Sequence, residues 1–145
     1  MITYTNTFNV LLGDLRDLLN TEFTNDVTVL IGDRTYLSNF PAIVLEPYDK
    51  DIQQGITYGK KDYSFRVNIW IYHKTNEEEQ SVKSLSETSE RVEELLIDNV
   101  MCPTQDGSKW YNSGIEKVEY GQVAKGAETL RTCKITSLFK KRITK

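Results

Sequence analysis

Apolar residues recur at spacings of three and four near the start of the chain: Phe8, Leu11, Leu12, Leu15, Leu19 and Phe23. That period lines them up on one stripe of a helix, with Asp14, Arg16 and Asp17 on the wet side. Asn6 or Thr7 supplies a side-chain oxygen for the first free backbone N–H groups. The pattern predicts a helix over residues 6–23, ending before Thr24-Asn25-Asp26.

The period then shortens. Val27-Thr28-Val29-Leu30-Ile31 is a β-branched run typical of a strand, closed by the turn signal Gly32-Asp33. Phe40-Pro41-Ala42-Ile43-Val44-Leu45-Glu46-Pro47 reads as a second strand. A proline cannot donate to a ladder, so Pro41 and Pro47 mark strand ends or an edge. Residues 48–62 are polar, carry Gly55 and Gly59, and show little periodicity. Part of this stretch can extend a strand, and most of it is expected to form a long exposed loop. From Tyr63 to His73 the alternation is strict: Tyr63, Phe65, Val67, Ile69 and Ile71 face one way and Ser64, Arg66, Asn68, Trp70 and Tyr72 the other. Trp70 and Tyr72 make the second face apolar as well, so it should be covered near its end.

A second helix is predicted over residues 77–99. Asn76 and Glu79 resemble a capping box. Val82, Leu85, Ser89, Val92, Leu95, Leu96 and Asn99 trace its buried stripe. Glu79–Lys83 and Glu87–Arg91 have the spacing of ion pairs on the outer face. Pro103 and Asp106-Gly107 lie in a connecting loop that runs to Gly114 and carries the adjacent aromatics Trp110-Tyr111. Two strands complete the chain, one holding Ile115, Val118 and Tyr120, the other running from Leu130 to Phe139, with Gly121 to Ala127 between them. The order α-β-β-β-α-β-β predicts one α+β domain spanning residues 1–145, a mainly antiparallel sheet with two principal helices packed on it.

Composition changes this picture little. At 39% hydrophobic and 27% charged residues the chain is an ordinary folded domain. The formal net charge of −3 argues against a dedicated nucleic-acid binder. The one dense basic run, Lys140-Lys141-Arg142-Ile143-Thr144-Lys145, reads as a frayed, solvated terminus. Cys102 and Cys133 form no CxxC, and Cys133 falls in an apolar alternation, so reduced thiols are expected. The first residues show no basic region followed by an apolar one, so no secretory signal is expected.

Candidate chemistry is sparse. His73 is the sole histidine, which excludes a zinc site built on several histidines, and no GxSxG elbow accompanies it. It reads as a strand-end residue. Asp49-x-Asp51-x-Gln53 fails as a calcium loop, because glycine falls at position seven and Lys60 occupies position twelve. Glu77-Glu78-Glu79 sits at a helix start, where negative charge suits the helix dipole. There is no phosphate-binding glycine loop. The sequence therefore points to a protein that is not an enzyme and needs no metal or cofactor. What it offers is surface: Tyr48, Lys50, Ile52, Ile56, Tyr58, Lys60 and Lys61 in the polar stretch, and Trp110 and Tyr111 after the second helix. Apolar groups in such places gain from burial against a partner, and aromatics make good anchors.

Read together, the opening helix, the Phe40–Glu46 strand, the polar stretch, the Tyr63–Tyr72 strand, the helix ending in Val92-Glu93-Glu94-Leu95-Leu96, and the strands at Val118-Glu119-Tyr120 and Arg131–Phe139 resemble the tail terminator and tail-completion (neck) proteins of tailed bacteriophages. The resemblance implies a homo-oligomeric, usually hexameric ring at the head-proximal end of a tail. Such a ring ends tube growth and joins the tail to the head connector. It implies self-association and contact with tail-tube and connector proteins, with DNA only passing through the channel and no membrane involved. It also implies assembly in the host cytoplasm and residence in the virion neck. The alternatives are another neck or tail-tube-associated virion protein, or a non-viral protein-binding module.

Overall fold

The computed structural model describes residues 7–24, 27–32, 41–54, 60–74, 78–99, 101–103, 109–125 and 128–144. The elements are α1 (Thr7–Phe23), β1 (Thr28–Ile31), β2 (Ala42–Gln54), β3 (Lys60–His73), α2 (Glu78–Asp98), β4 (Met101–Pro103), β5 (Lys109–Lys125) and β6 (Glu128–Thr144). The six strands form one sheet in the order β1-β2-β3-β6-β5-β4. Every neighbouring pair is antiparallel except β1–β2, which is parallel. The architecture is the α+β class that the hydropathy pattern predicts, with β4 and the parallel pair added.

Both helices lie on one face. Leu11, Leu12, Leu15, Leu19 and Phe23 of α1 and Leu85, Val92 and Leu96 of α2 join Ile43, Leu45, Phe65, Val67, Ile69, Ile71, Cys133, Ile135 and Phe139 in the main core. Phe8 is only half-buried, and packs edge-on against Phe65 with ring centroids 4.9 Å apart. The stripe predicted for α2 needs one correction. Val82, near the start of α2, is exposed. The predicted Glu79–Lys83 pair forms, at 3.4 Å. The predicted Glu87–Arg91 pair does not. Arg91 turns to α1 instead, bonding the Glu22 carboxylate at 3.0 Å and the Glu22 carbonyl at 2.8 Å, and lying over the Phe23 ring. A cation at a helix C-terminus also meets the negative end of the dipole. Asn99 closes α2, its side-chain amide donating to the Leu95 carbonyl at 2.8 Å.

The opposite face carries a second, smaller cluster of Ala42, Val44, Tyr72 and Leu130, with Leu30, Trp70 and Val123 packed against it. A helix or a neighbour was expected to cover the Trp70/Tyr72 face near its end; Tyr72 is fully buried within this strand cluster, while α1 and α2 both pack on the other face.

Three expectations about loops are overturned. Residues 48–54 and 60–62 are strand, not loop: β2 runs through Pro47 to Gln54 and pairs with β3 out to Gln54↔Lys61. The polar residues hold a strand because β3 lies between β2 and β6, so its backbone groups are paired on both sides. The stretch after α2 is likewise largely strand, with Trp110 opposite Cys102 and Tyr111 opposite Met101. The basic tail is not frayed as far as it is described: Lys140 to Thr144 continue β6 opposite Lys60–Ser64.

Candidate functional site

The sheet ends in strands much shorter than those they flank. β1 pairs with β2 only over Ala42–Leu45, extended by the Gly32 N–H to the Leu45 carbonyl at 2.9 Å. From Glu46 to Gln54 the outer side of β2 has no strand partner among the described residues. β4 pairs with β5 only over Lys109–Tyr111, so Asn112 to Lys125 likewise have no outer strand among the described residues. The fold thus presents two strand edges, one on each side of the same sheet. Pro47, which has no N–H to offer, is tolerated because it sits on the first of them.

Bulges shape both edges. Between Pro47 and Asp49 the register shifts, leaving Tyr48 as the extra residue. An extra residue reverses the alternation beyond it. Ile43 and Leu45 face the helices before the bulge, and Lys50 and Ile52 do so after it, opposite Phe65 and Tyr63. Lys50 Nζ stands 4.9 Å from the Tyr63 ring centroid. In β5, register shifts leave Ser113 and Glu116 as extra residues.

Freed from the alternation, Glu116 reaches Arg66, two strands away, at 2.7 Å from Nε. The same guanidinium bonds Asp49 at 3.0 Å and Asp51 at 3.1 Å from NH1. Three carboxylates drive the Arg66 pKa further up, led by the Asp49 hydrogen bond. Arg66 therefore ties the β2 arm to β5 across β6, on the face away from the helices. Nearby, Glu119 is held below the usual carboxylate range by hydrogen bonds from Lys117 and Lys134. Asn68 accepts a hydrogen bond from Thr136 at 2.9 Å.

Exposed apolar groups gather on these edges. Tyr48 is 62% and Ile52 55% exposed on β2, and Tyr120 is 58% exposed on β5. Tyr120 still touches α2, its hydroxyl lying 3.1 Å from Ser89 Oγ, which in turn accepts from the Cys133 thiol at 3.4 Å.

Of the residues nominated from sequence, Tyr48, Lys50 and Ile52 share the β2 arm. Ile56 and Tyr58 lie outside the described residues. Lys60 and Lys61 lie at the start of β3, and Trp110 and Tyr111 at the start of β5, with their side chains outside what is described. β2, β3, β6 and β5 are successive strands, so the nominated positions fall toward one end of the sheet. Arg66, Glu116 and Tyr120 were missed. Arg66 was readable as the lone cation inside the strict alternation of β3, but its partners depend on two bulges that no local pattern announces.

Among the described residues, no group of three or more His, Cys, Asp or Glu could hold a metal ion. No protein-family model matches the chain, and no curated protein matches it in sequence. Among solved structures, the chain is similar in fold to a chain from "Virion of native gene transfer agent (GTA) particle". The TM-score is 0.51 at 9% sequence identity, over 98% of this chain and 100% of that one. At that identity, the likeness is one of fold.

Proposed function

We propose that this chain is a structural virion protein that assembles into a ring at the head-proximal end of a phage-like tail, ending tube growth and joining the tail to the head connector. The observation that carries the reading is the end-to-end likeness in fold to a chain of a gene transfer agent virion. An isolated motif shared with a virion protein would mean little. The fold is shared over 98% of one chain and 100% of the other.

The two-edged sheet supports the same reading. A ring subunit needs two different, complementary surfaces, one for each neighbour. The β2 arm, with Tyr48, Lys50 and Ile52, is the assembly surface of this reading, and the start of β5, with Trp110 and Tyr111, lies near it. The slightly acidic balance of −3 suits a channel through which DNA slides without being held.

Immunogold labelling of intact particles from the protein's source tests the reading. Label confined to the head–tail junction is the expected result. Label elsewhere on the neck or along the tube supports the alternative of another neck or tube-associated protein. Particles without label contradict a virion role.

A further inference from the structure

We infer that neighbouring copies of this chain join through a stepped edge: β1 of one copy fills the place beside β5 of the next that β4 leaves open, and β4 fills the place beside the β2 arm that β1 leaves open. The inference rests on the proposed ring and specifies its contact.

The strand pairings set the steps level. One row across the sheet runs Thr28, Ala42, Tyr72, Thr132, Gly121, and another runs Ile31, Leu45, Ile69, Ile135, Val118. At this height β1 projects from one side of the sheet, while β5 on the other side has no outer strand among the described residues. A lower row runs Asp51, Ser64, Lys140, Tyr111, Met101. There β4 projects, level with the arm of β2 that has no outer strand among the described residues. Each side projects where the other is recessed, so copies set side by side interlock without sliding along the strands. The contact uses a different surface on each partner, so it repeats rather than stopping at a dimer.

Directions, backbone groups and faces agree with this register. β1 runs with β2, and β5 runs against both, so β1 meets β5 as an antiparallel pair. The Thr28 and Gly32 N–H groups bond to β2, which turns the backbone groups of Val29 and Ile31 outward. The same alternation, followed along the row Val44, Trp70, Lys134, Glu119, turns those of Val118 and Tyr120 outward on β5. Level pairing sets Val29 opposite Tyr120 and Ile31 opposite Val118, so each pair can exchange N–H···O=C bonds. All four lie on the helix side, in rows with Ile43, Leu45, Cys133 and Ile135. The junction covers Ile31 and Tyr120, which are 39% and 58% exposed in the single copy. Thr28–Gly121 and Leu30–Glu119 complete it, with no like charges opposed. It also pairs edges that a folded protein must otherwise protect.

Cysteine pairs across the junction test this on the full-length protein, with Cys102 replaced by serine. Thr28→Cys with Gly121→Cys, and Leu30→Cys with Glu119→Cys, each place two thiols opposite one another between copies. Within one copy these positions lie four strands apart, roughly 19 Å at the usual strand spacing, which is too far for a disulfide. Thr28→Cys with Lys117→Cys is the control, out of register on the same strands. Circular dichroism melts establish that each variant is folded. Mild oxidation is expected to link most copies of the two matched pairs, and few of the control, on a non-reducing gel. The inference is overturned if the folded matched pairs link no better than the control. Native mass of the reduced protein separates the contact from the ring. Discrete rings without cross-linking leave the ring reading standing without this contact. Efficient cross-linking into a ladder that does not end keeps the contact and removes the closed ring.

Discussion

Ser137 shows what a single atom costs in this core. Its side chain is fully buried on the helix side of β6, and its Oγ has no hydrogen-bond partner among the described residues. A buried hydroxyl without a partner forfeits its hydration for nothing. Ser137→Ala is expected to raise stability by roughly 1 kcal/mol, read from the urea midpoint at unchanged slope. Thr24 is a second such site. It follows α1 with φ +47°, a left-handed conformation costly to a β-branched residue and natural to glycine after a helix. Thr24→Gly should stabilise by about 0.5–1 kcal/mol in the same measurement. His73 gives the pH dependence. Burial holds its imidazole below the ordinary 6.5, with Nε2 3.2 Å from the Thr88 hydroxyl. In acid the unfolded chain takes up a proton that the folded chain refuses, so stability is full above the unfolded value and falls as pH drops from it toward the lower folded value. Comparing urea midpoints at about pH 7.5 and about pH 5.5, His73→Gln should lose less stability than the parent. An equal loss in both would show that His73 does not contribute.

At the level of elements, α2 is anchored through few contacts, and Leu85, Val92 and Leu96 carry its buried stripe. Leu85→Ala should cost about 2–5 kcal/mol, and a near-neutral result would contradict the packing of α2 on β3 and β6. The β2 arm depends on Arg66. Arg66→Gln removes charge from a site bonded to Asp49, Asp51 and Glu116. Amide exchange should quicken roughly three- to tenfold across Asp49–Ile52, with central β6 unchanged. Both helices, β3 and β6 were legible in the sequence because each buries one face, and burial writes a period of 3.6 or 2 into the residues. The β2 arm was not, since Asp49-Lys50-Asp51-Ile52 is held by cross-strand backbone bonds and an ionic cluster, and neither leaves an apolar rhythm. The parallel pairing of β1 with β2 was hidden for a different reason. A parallel partner is chosen by the path of the connection, which local pattern does not record.

At the level of the whole molecule, the proposed assembly surface lies where the sheet has no outer strand among the described residues. Tyr48 and Ile52 were nominated from sequence because apolar groups stood out in a polar stretch, and both are exposed on β2. Tyr120 was not, because its place in a strand does not reveal that β5 has no outer strand there among the described residues. An edge is a property of strand order, and strand order is fixed only when distant segments meet. The central claim is the proposal that copies of this chain assemble into a closed ring. Native mass spectrometry of the purified protein over a range of concentrations tests it most directly. The account predicts one discrete species of about six times the 16.7 kDa subunit mass, with no ladder beyond it. A monomer at every concentration, or a dimer as the largest species, would contradict it.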